Sequence, residues 1–103
     1  MYKVDEKKWK QFSAEIQLKN IAAELSRASH AELYKTASKK KQANDAYERA
    51  LILISASLND SQWKDKDFLY QLRDAVSALY SKKTNPSIGR LLSNQLLEKQ
   101  ISQ

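Results

Sequence analysis

Side chains suited to catalysis or metal binding are scarce in this sequence of 103 residues. A metal site built on helices would need a Glu-x-x-His or His-Glu-x-x-His pattern. The one histidine, His30, belongs to neither pattern. The sequence has no cysteine, which excludes a thiol nucleophile, a disulfide and a cysteine-bound metal. We therefore interpret His30 as a solvent-exposed residue in the first turn of a helix.

Three aspartates, Asp60, Asp65 and Asp67, lie within eight residues of one another. Oxygen ligands of this kind suit a divalent cation, but their spacing does not match an EF-hand loop. Helix capping and pairing with the helix dipole explain all three without a metal. The glutamates are scattered over polar positions, and one glycine cannot form a phosphate-binding loop. We expect a protein that is not an enzyme and that uses no metal and no cofactor.

The basic residues indicate an alternative function, the binding of a nucleic acid. Lys and Arg number 18 against 12 Asp and Glu, a formal net charge of +6 that is typical of proteins associated with nucleic acids. Lysines could neutralise phosphates, and neighbouring aromatic rings could stack on bases. The alternative is that these lysines only cover exposed helix faces, with Trp9 in the core. The predicted nucleic-acid contact consists of Lys7, Lys8, Lys10, Lys35, Lys39, Lys40 and Lys41.

The elements that carry these side chains are predicted to be helices. The sequence has one glycine and one proline, and it contains no Asn-Gly, Asp-Gly or Gly-Gly pair from which a hairpin could be built. Apolar residues recur at helical spacing along most of the chain. We predict an all-α, single-domain antiparallel bundle of about four helices. The predicted helices cover about 5–28, 30–57, 61–82 and 86–100.

Capping signals set these boundaries. Asp5 is the predicted cap of the first helix, and the stretch from Ser29 to Glu32 matches a capping box for the second. The lysines at 39–41 leave open whether the second helix is continuous or broken there, and we favour a continuous helix. Asn85 followed by Pro86 is a typical start for the fourth.

The predicted first helix is apolar on two sides. One stripe contains Trp9, Phe12 and Ile16, and a second contains Leu18, Ile21 and Leu25, so this helix needs two neighbours. Both neighbours could be other helices of the same chain, or one of them could belong to a second subunit. We therefore predict a non-enzymatic protein-interaction or assembly module, self-association included, with Leu18, Ile21 and Leu25 as the contact. The alternative function is that of a small basic nucleic-acid-associated protein.

The chain shows no sign of a membrane-spanning or secretory segment. The first residues are charged and lack the apolar core of a signal peptide. The longest apolar run, from Ala50 to Ile54, is far shorter than the roughly 20 residues that span a bilayer. We expect a cytoplasmic protein.

Overall fold

A computed structural model of the chain describes residues 2–81. Within this range the chain forms four helices and no strand, which confirms the predicted all-α class. The four helices differ from the four predicted, because the predicted first helix is two helices and the predicted fourth, 86–100, lies outside the described residues. The helices are α1 (Glu6–Gln11), α2 (Ala14–Ala31), α3 (Ala37–Leu58) and α4 (Lys66–Tyr80).

The predicted continuous helix from 5 to 28 is wrong, because the chain leaves the helical conformation at Phe12 and Ser13. Both residues have extended backbones, and the Ser13 side chain caps α2 by accepting a hydrogen bond from the Ile16 amide at 3.2 Å. The Phe12 carbonyl accepts from the side-chain amides of Gln17 and Gln62, at 3.3 and 2.9 Å. The Phe12 carbonyl therefore keeps hydrogen-bond partners although the helix is interrupted at this residue.

The cap predicted for the first helix is confirmed. The Asp5 carboxylate accepts from the backbone amides of Lys7 and Lys8 at the start of α1. The cap predicted for the second helix is wrong, because Ser29 lies inside α2, where it is buried. Ala28 and Ala31 continue the buried face of α2, so tertiary packing extends that helix past the local capping signal.

The third helix of the structure begins at Ala37, where the Thr36 hydroxyl accepts from the Lys39 amide at 3.1 Å. It continues without interruption through the lysines at 39–41 to Leu58, as favoured. The predicted second helix, 30–57, is nevertheless wrong at its start, because residues 32–36 are a non-helical connection between α2 and α3. The start predicted for the next helix, residue 61, is too early. That helix, α4, begins at Lys66, and Asp65 caps it by accepting from the Phe68 amide at 3.0 Å.

The core lies where α3 packs between α2 and α4, with α1 also against α3. Short connections place successive long helices side by side in antiparallel order. No helix among residues 2–81 is long and apolar enough to cross a membrane. The buried apolar residues of this core include Trp9, Leu18, Ile21, Leu25, Tyr47, Ala50, Leu53, Ile54, Trp63, Leu69, Leu72, Val76 and Leu79.

Candidate nucleic-acid interface

The predicted protein contact lies in the interior of the chain. Leu18, Ile21 and Leu25 are each 0% exposed and belong to the core that α2 shares with α3 and α4. Of the other apolar stripe, Trp9 is buried, whereas Phe12 and Ile16 are each 43% exposed. A contact with a second protein would have to use other side chains.

A buried polar cluster joins α1, α2 and the end of α3; we define it as Trp9, Gln17, Ser57, Asp60 and Trp63. The Gln17 oxygen accepts from the Trp63 indole at 2.6 Å and from the Ser57 hydroxyl at 3.1 Å. The Gln17 nitrogen donates to the Asp60 carboxylate and to the Trp9 carbonyl, both at 2.9 Å. The Trp9 indole donates to Ser57 at 3.0 Å. Trp9 is thus a core residue. This agrees with the alternative interpretation, in which the neighbouring lysines cover an exposed helix face and Trp9 does not stack on bases.

The buried polar cluster is saturated with internal hydrogen bonds. Burial raises the pKa of Asp60, but hydrogen bonds from Gln62 and Gln17 and the charge of Lys10 outweigh it and hold the pKa below its ordinary value. Asp60 is therefore a carboxylate at neutral pH, with its oxygens engaged by neighbouring donors. In residues 2–81 no buried side-chain nitrogen or oxygen lacks a partner. The cluster holds elements together and offers no free atom to a substrate.

The three aspartates differ in their roles. Asp65 caps α4 and Asp67 lies in its first turn, as helix capping and dipole pairing predict. Asp60 instead is buried and accepts from the backbone and the side chain of Gln62, at 3.1 and 2.7 Å. No group of three or more metal-ligating side chains occurs in the described part of the chain.

Four of the predicted nucleic-acid contacts gather at one end of the bundle. We call this region the basic end and define it as residues 34–35 with the lysines at 39–41. The Lys39 ammonium lies 5.6 Å from the centre of the Tyr34 ring, and the His30 ring contacts the same tyrosine edge-on at 5.6 Å. Lys41 pairs with Asp45 at 3.1 Å. The first turn of α3 contains no acidic residue, so nothing acidic there offsets the positive end of the helix dipole.

Two arginines that the sequence did not single out extend this surface. A cavity of about 270 Å³ beside the basic end is lined by Arg27 and Arg49 together with His30 and Lys39. Both guanidiniums bond the carboxylate of Glu24, which is buried. Asp45 also lines this cavity, so two carboxylates, those of Glu24 and Asp45, face the three cations Arg27, Arg49 and Lys39, which leaves a net positive charge. The ion pair between Glu24 and Arg27 could have been predicted from the sequence, because the two residues are three apart on one helix. The pair between Glu24 and Arg49 could not, because it forms only when α2 and α3 pack together.

The remaining predicted contacts, on α1, are separate from the basic end. Lys8 lines a second cavity, of about 370 Å³, that also contains Lys3, Arg27 and Arg49. Lys10 acts on the Asp60 carboxylate, away from this cavity. Lys7 is exposed and lines neither cavity. The structure therefore brings one lysine of α1, Lys8, to the surface that Arg27 and Arg49 share.

No protein-family model, curated protein or solved structure matched this chain when it was compared with each of the three.

Proposed function

We propose that this chain is a non-enzymatic helical binding module whose partner is a nucleic acid held by its phosphate backbone. The observation that carries the proposal is the composition of the basic end, where Tyr34 and the lysines surround the start of α3. Phosphates are attracted both by lysine side chains and by the positive end of a helix. Tyr34 is about half exposed, so its ring is accessible to a base.

The placement of the lysines supports a binding role over simple solvation. A lysine at the start of a helix is disfavoured by the helix dipole, by about 0.3–1 kcal/mol. The chain nevertheless has Lys39 and Lys40 near the start of its longest described helix, with no acidic residue in the first turn. An anionic partner would convert this local repulsion into attraction. Arg27 and Arg49 extend the same positive surface along α2 and α3.

The test is fluorescence anisotropy with labelled DNA and RNA oligonucleotides, titrated over a range of salt concentrations. Phosphate binding predicts an affinity that falls linearly with salt on logarithmic axes. The double variant Lys39→Gln/Lys40→Gln is expected to bind roughly tenfold more weakly and to flatten the salt slope by about 2.

The matched control is Lys19→Gln/Lys64→Gln, which removes the same charge from exposed lysines outside the basic end. It is expected to bind within about twofold of the unaltered protein, since screening weakens distant surface charges. Equal losses in the two variants, or binding that does not depend on salt, would refute a phosphate site at the basic end.

The second proposal is a protein-assembly function. It cannot use Leu18, Ile21 and Leu25 as the contact, because these residues are buried. The supporting observation is Leu33, which is 70% exposed beside Tyr34 in the α2–α3 connection. An apolar side chain this exposed could pack against another protein. A solution mass above that of one chain, insensitive to salt and reduced by Leu33→Ser, would support assembly.

A further inference from the structure

The second cavity shares two lining residues with the cavity beside the basic end. We call it the N-terminal groove; it lies between the residues around α1 and the helices α2 and α3. Arg27 and Arg49 line both this groove and the cavity beside His30, so the two spaces adjoin. Its volume, about 370 Å³, is within the range of roughly 300–1,000 Å³ that is typical of small-ligand sites.

The charges of the groove favour an anion. It has two carboxylates, Asp5, which caps α1, and Glu24, which is held by two guanidiniums. Four cations against these two carboxylates leave the lining a formal charge of +2. In residues 2–81 Lys3 and Lys8 make no ion pair. The four cations that line the groove are Lys3, Lys8, Arg27 and Arg49.

Aromatic side chains line the same groove. Tyr2 and Phe12 are 40% and 43% exposed, so both rings are accessible to a ligand. The Phe12 ring packs edge-on against the buried Trp9, with centres 6.1 Å apart and planes at 80°. This contact places the Phe12 ring beside Trp9 in the lining of the groove.

We infer that the N-terminal groove receives one unpaired base with its phosphate, so that the chain prefers single-stranded to double-stranded nucleic acid. The inference rests on the proposed function and adds a strand preference to it. Accessible aromatic rings stack on bases that are free of a duplex, while cations hold the backbone that connects them. A duplex keeps its bases stacked inside and could use only the phosphate contacts of the basic end.

The experiment compares a labelled single-stranded oligonucleotide with the duplex of the same sequence, by anisotropy at one fixed salt concentration. The single strand is expected to bind about tenfold more tightly. The variant Tyr2→Ala/Phe12→Ala is expected to lose this preference and to keep its affinity for the duplex. The matched control, Tyr70→Ala/Tyr80→Ala, removes two exposed rings of α4 that do not line the groove, and it should keep the preference.

A second variant guards against loss of folding when Phe12 is removed. Lys3→Gln/Lys8→Gln changes two exposed side chains, so the helical fold should be unaffected. It is expected to weaken binding of the single strand roughly tenfold, with little change for the duplex. Lys19→Gln/Lys64→Gln again serves as the control for charge.

The outcomes separate this inference from the proposed function. Salt-dependent binding with equal affinity for both forms would overturn the strand preference and leave the phosphate site intact. A preference that survives both groove variants would also overturn it. Absence of binding to either form would overturn the proposed function itself.

Discussion

Gln17 is fully enclosed, and its amide group bonds to three residues of the segment 57–63, which is 40 to 46 residues away in sequence. Its oxygen accepts from Trp63 and Ser57, and its nitrogen donates to Asp60. A buried polar group left without its partner costs about 1–3 kcal/mol. Replacement of this one side chain would leave several such groups unpaired at once.

The first prediction concerns Gln17→Leu, a change that keeps similar bulk and removes every side-chain hydrogen bond of the amide. We expect the free energy of unfolding to fall by about 3 kcal/mol, measured by urea denaturation followed by circular dichroism. The control is Gln71→Leu at an exposed position of α4, expected to change stability by less than about 0.5 kcal/mol. A loss below about 1 kcal/mol for Gln17→Leu would show that the buried polar cluster contributes little.

The second prediction concerns pH and Asp60. Its pKa in the folded chain lies below the unfolded value, so its ionised form stabilises the fold above about pH 4. This contribution is lost as the pH falls through the folded-state pKa. Asp60→Asn should unfold more easily at pH 7, because the new amide nitrogen would face the donor groups of Gln17 or Gln62.

Urea denaturation at several pH values checks this dependence. The difference in unfolding free energy between Asp60→Asn and the unaltered protein should shrink as the pH is lowered below about 4. A difference that is the same at every pH would mean that the ionisation of Asp60 does not stabilise the fold.

At the scale of the helices, local signals predicted which segments are helical better than where they end. Asp5 and Asp65 cap helices because each lies next to a helix start, where its carboxylate accepts from backbone amides of the first turn. The capping box at Ser29 is unused, because Ala28 and Ala31 pack in the interior and extend α2. The break at Ser13 lacks the glutamate of a capping box, and Gln62, about fifty residues away in sequence, supports it. Contacts of such long range are invisible in a local pattern.

The third prediction tests that break. Ser13→Ala removes the side-chain acceptor for the Ile16 amide and should lower the free energy of unfolding by about 1 kcal/mol. Ser55→Ala is the control, because Ser55 is exposed within α3 and alanine favours helix there. Urea denaturation of both variants measures the difference. If Ser13→Ala is as stable as the control, a mechanism other than the cap maintains the break between α1 and α2.

At the scale of the whole molecule, the composition predicted that the candidate interface is positively charged, but it identified only some of the residues that form it. The lysines at 39–41 are consecutive and were found directly from the sequence. Arg27 and Arg49 come from different helices and meet only because both bond the buried Glu24. Leu18, Ile21 and Leu25 were predicted to contact another protein but lie in the core. A helix that packs against its own chain has the same apolar pattern in sequence as a helix that packs against another protein.

The fourth prediction concerns the state of the protein in solution. Light scattering coupled to size exclusion should give the mass of one chain, 11.9 kDa, at about 0.5 M salt, because high salt screens phosphate contacts and the apolar stripe is internal. At about 0.1 M salt, protein purified without nuclease should elute with nucleic acid bound and with a raised absorbance at 260 nm. Nuclease treatment should restore the single-chain mass. A larger species that persists after nuclease treatment and at high salt would instead establish assembly through a protein contact and direct mutation to Leu33.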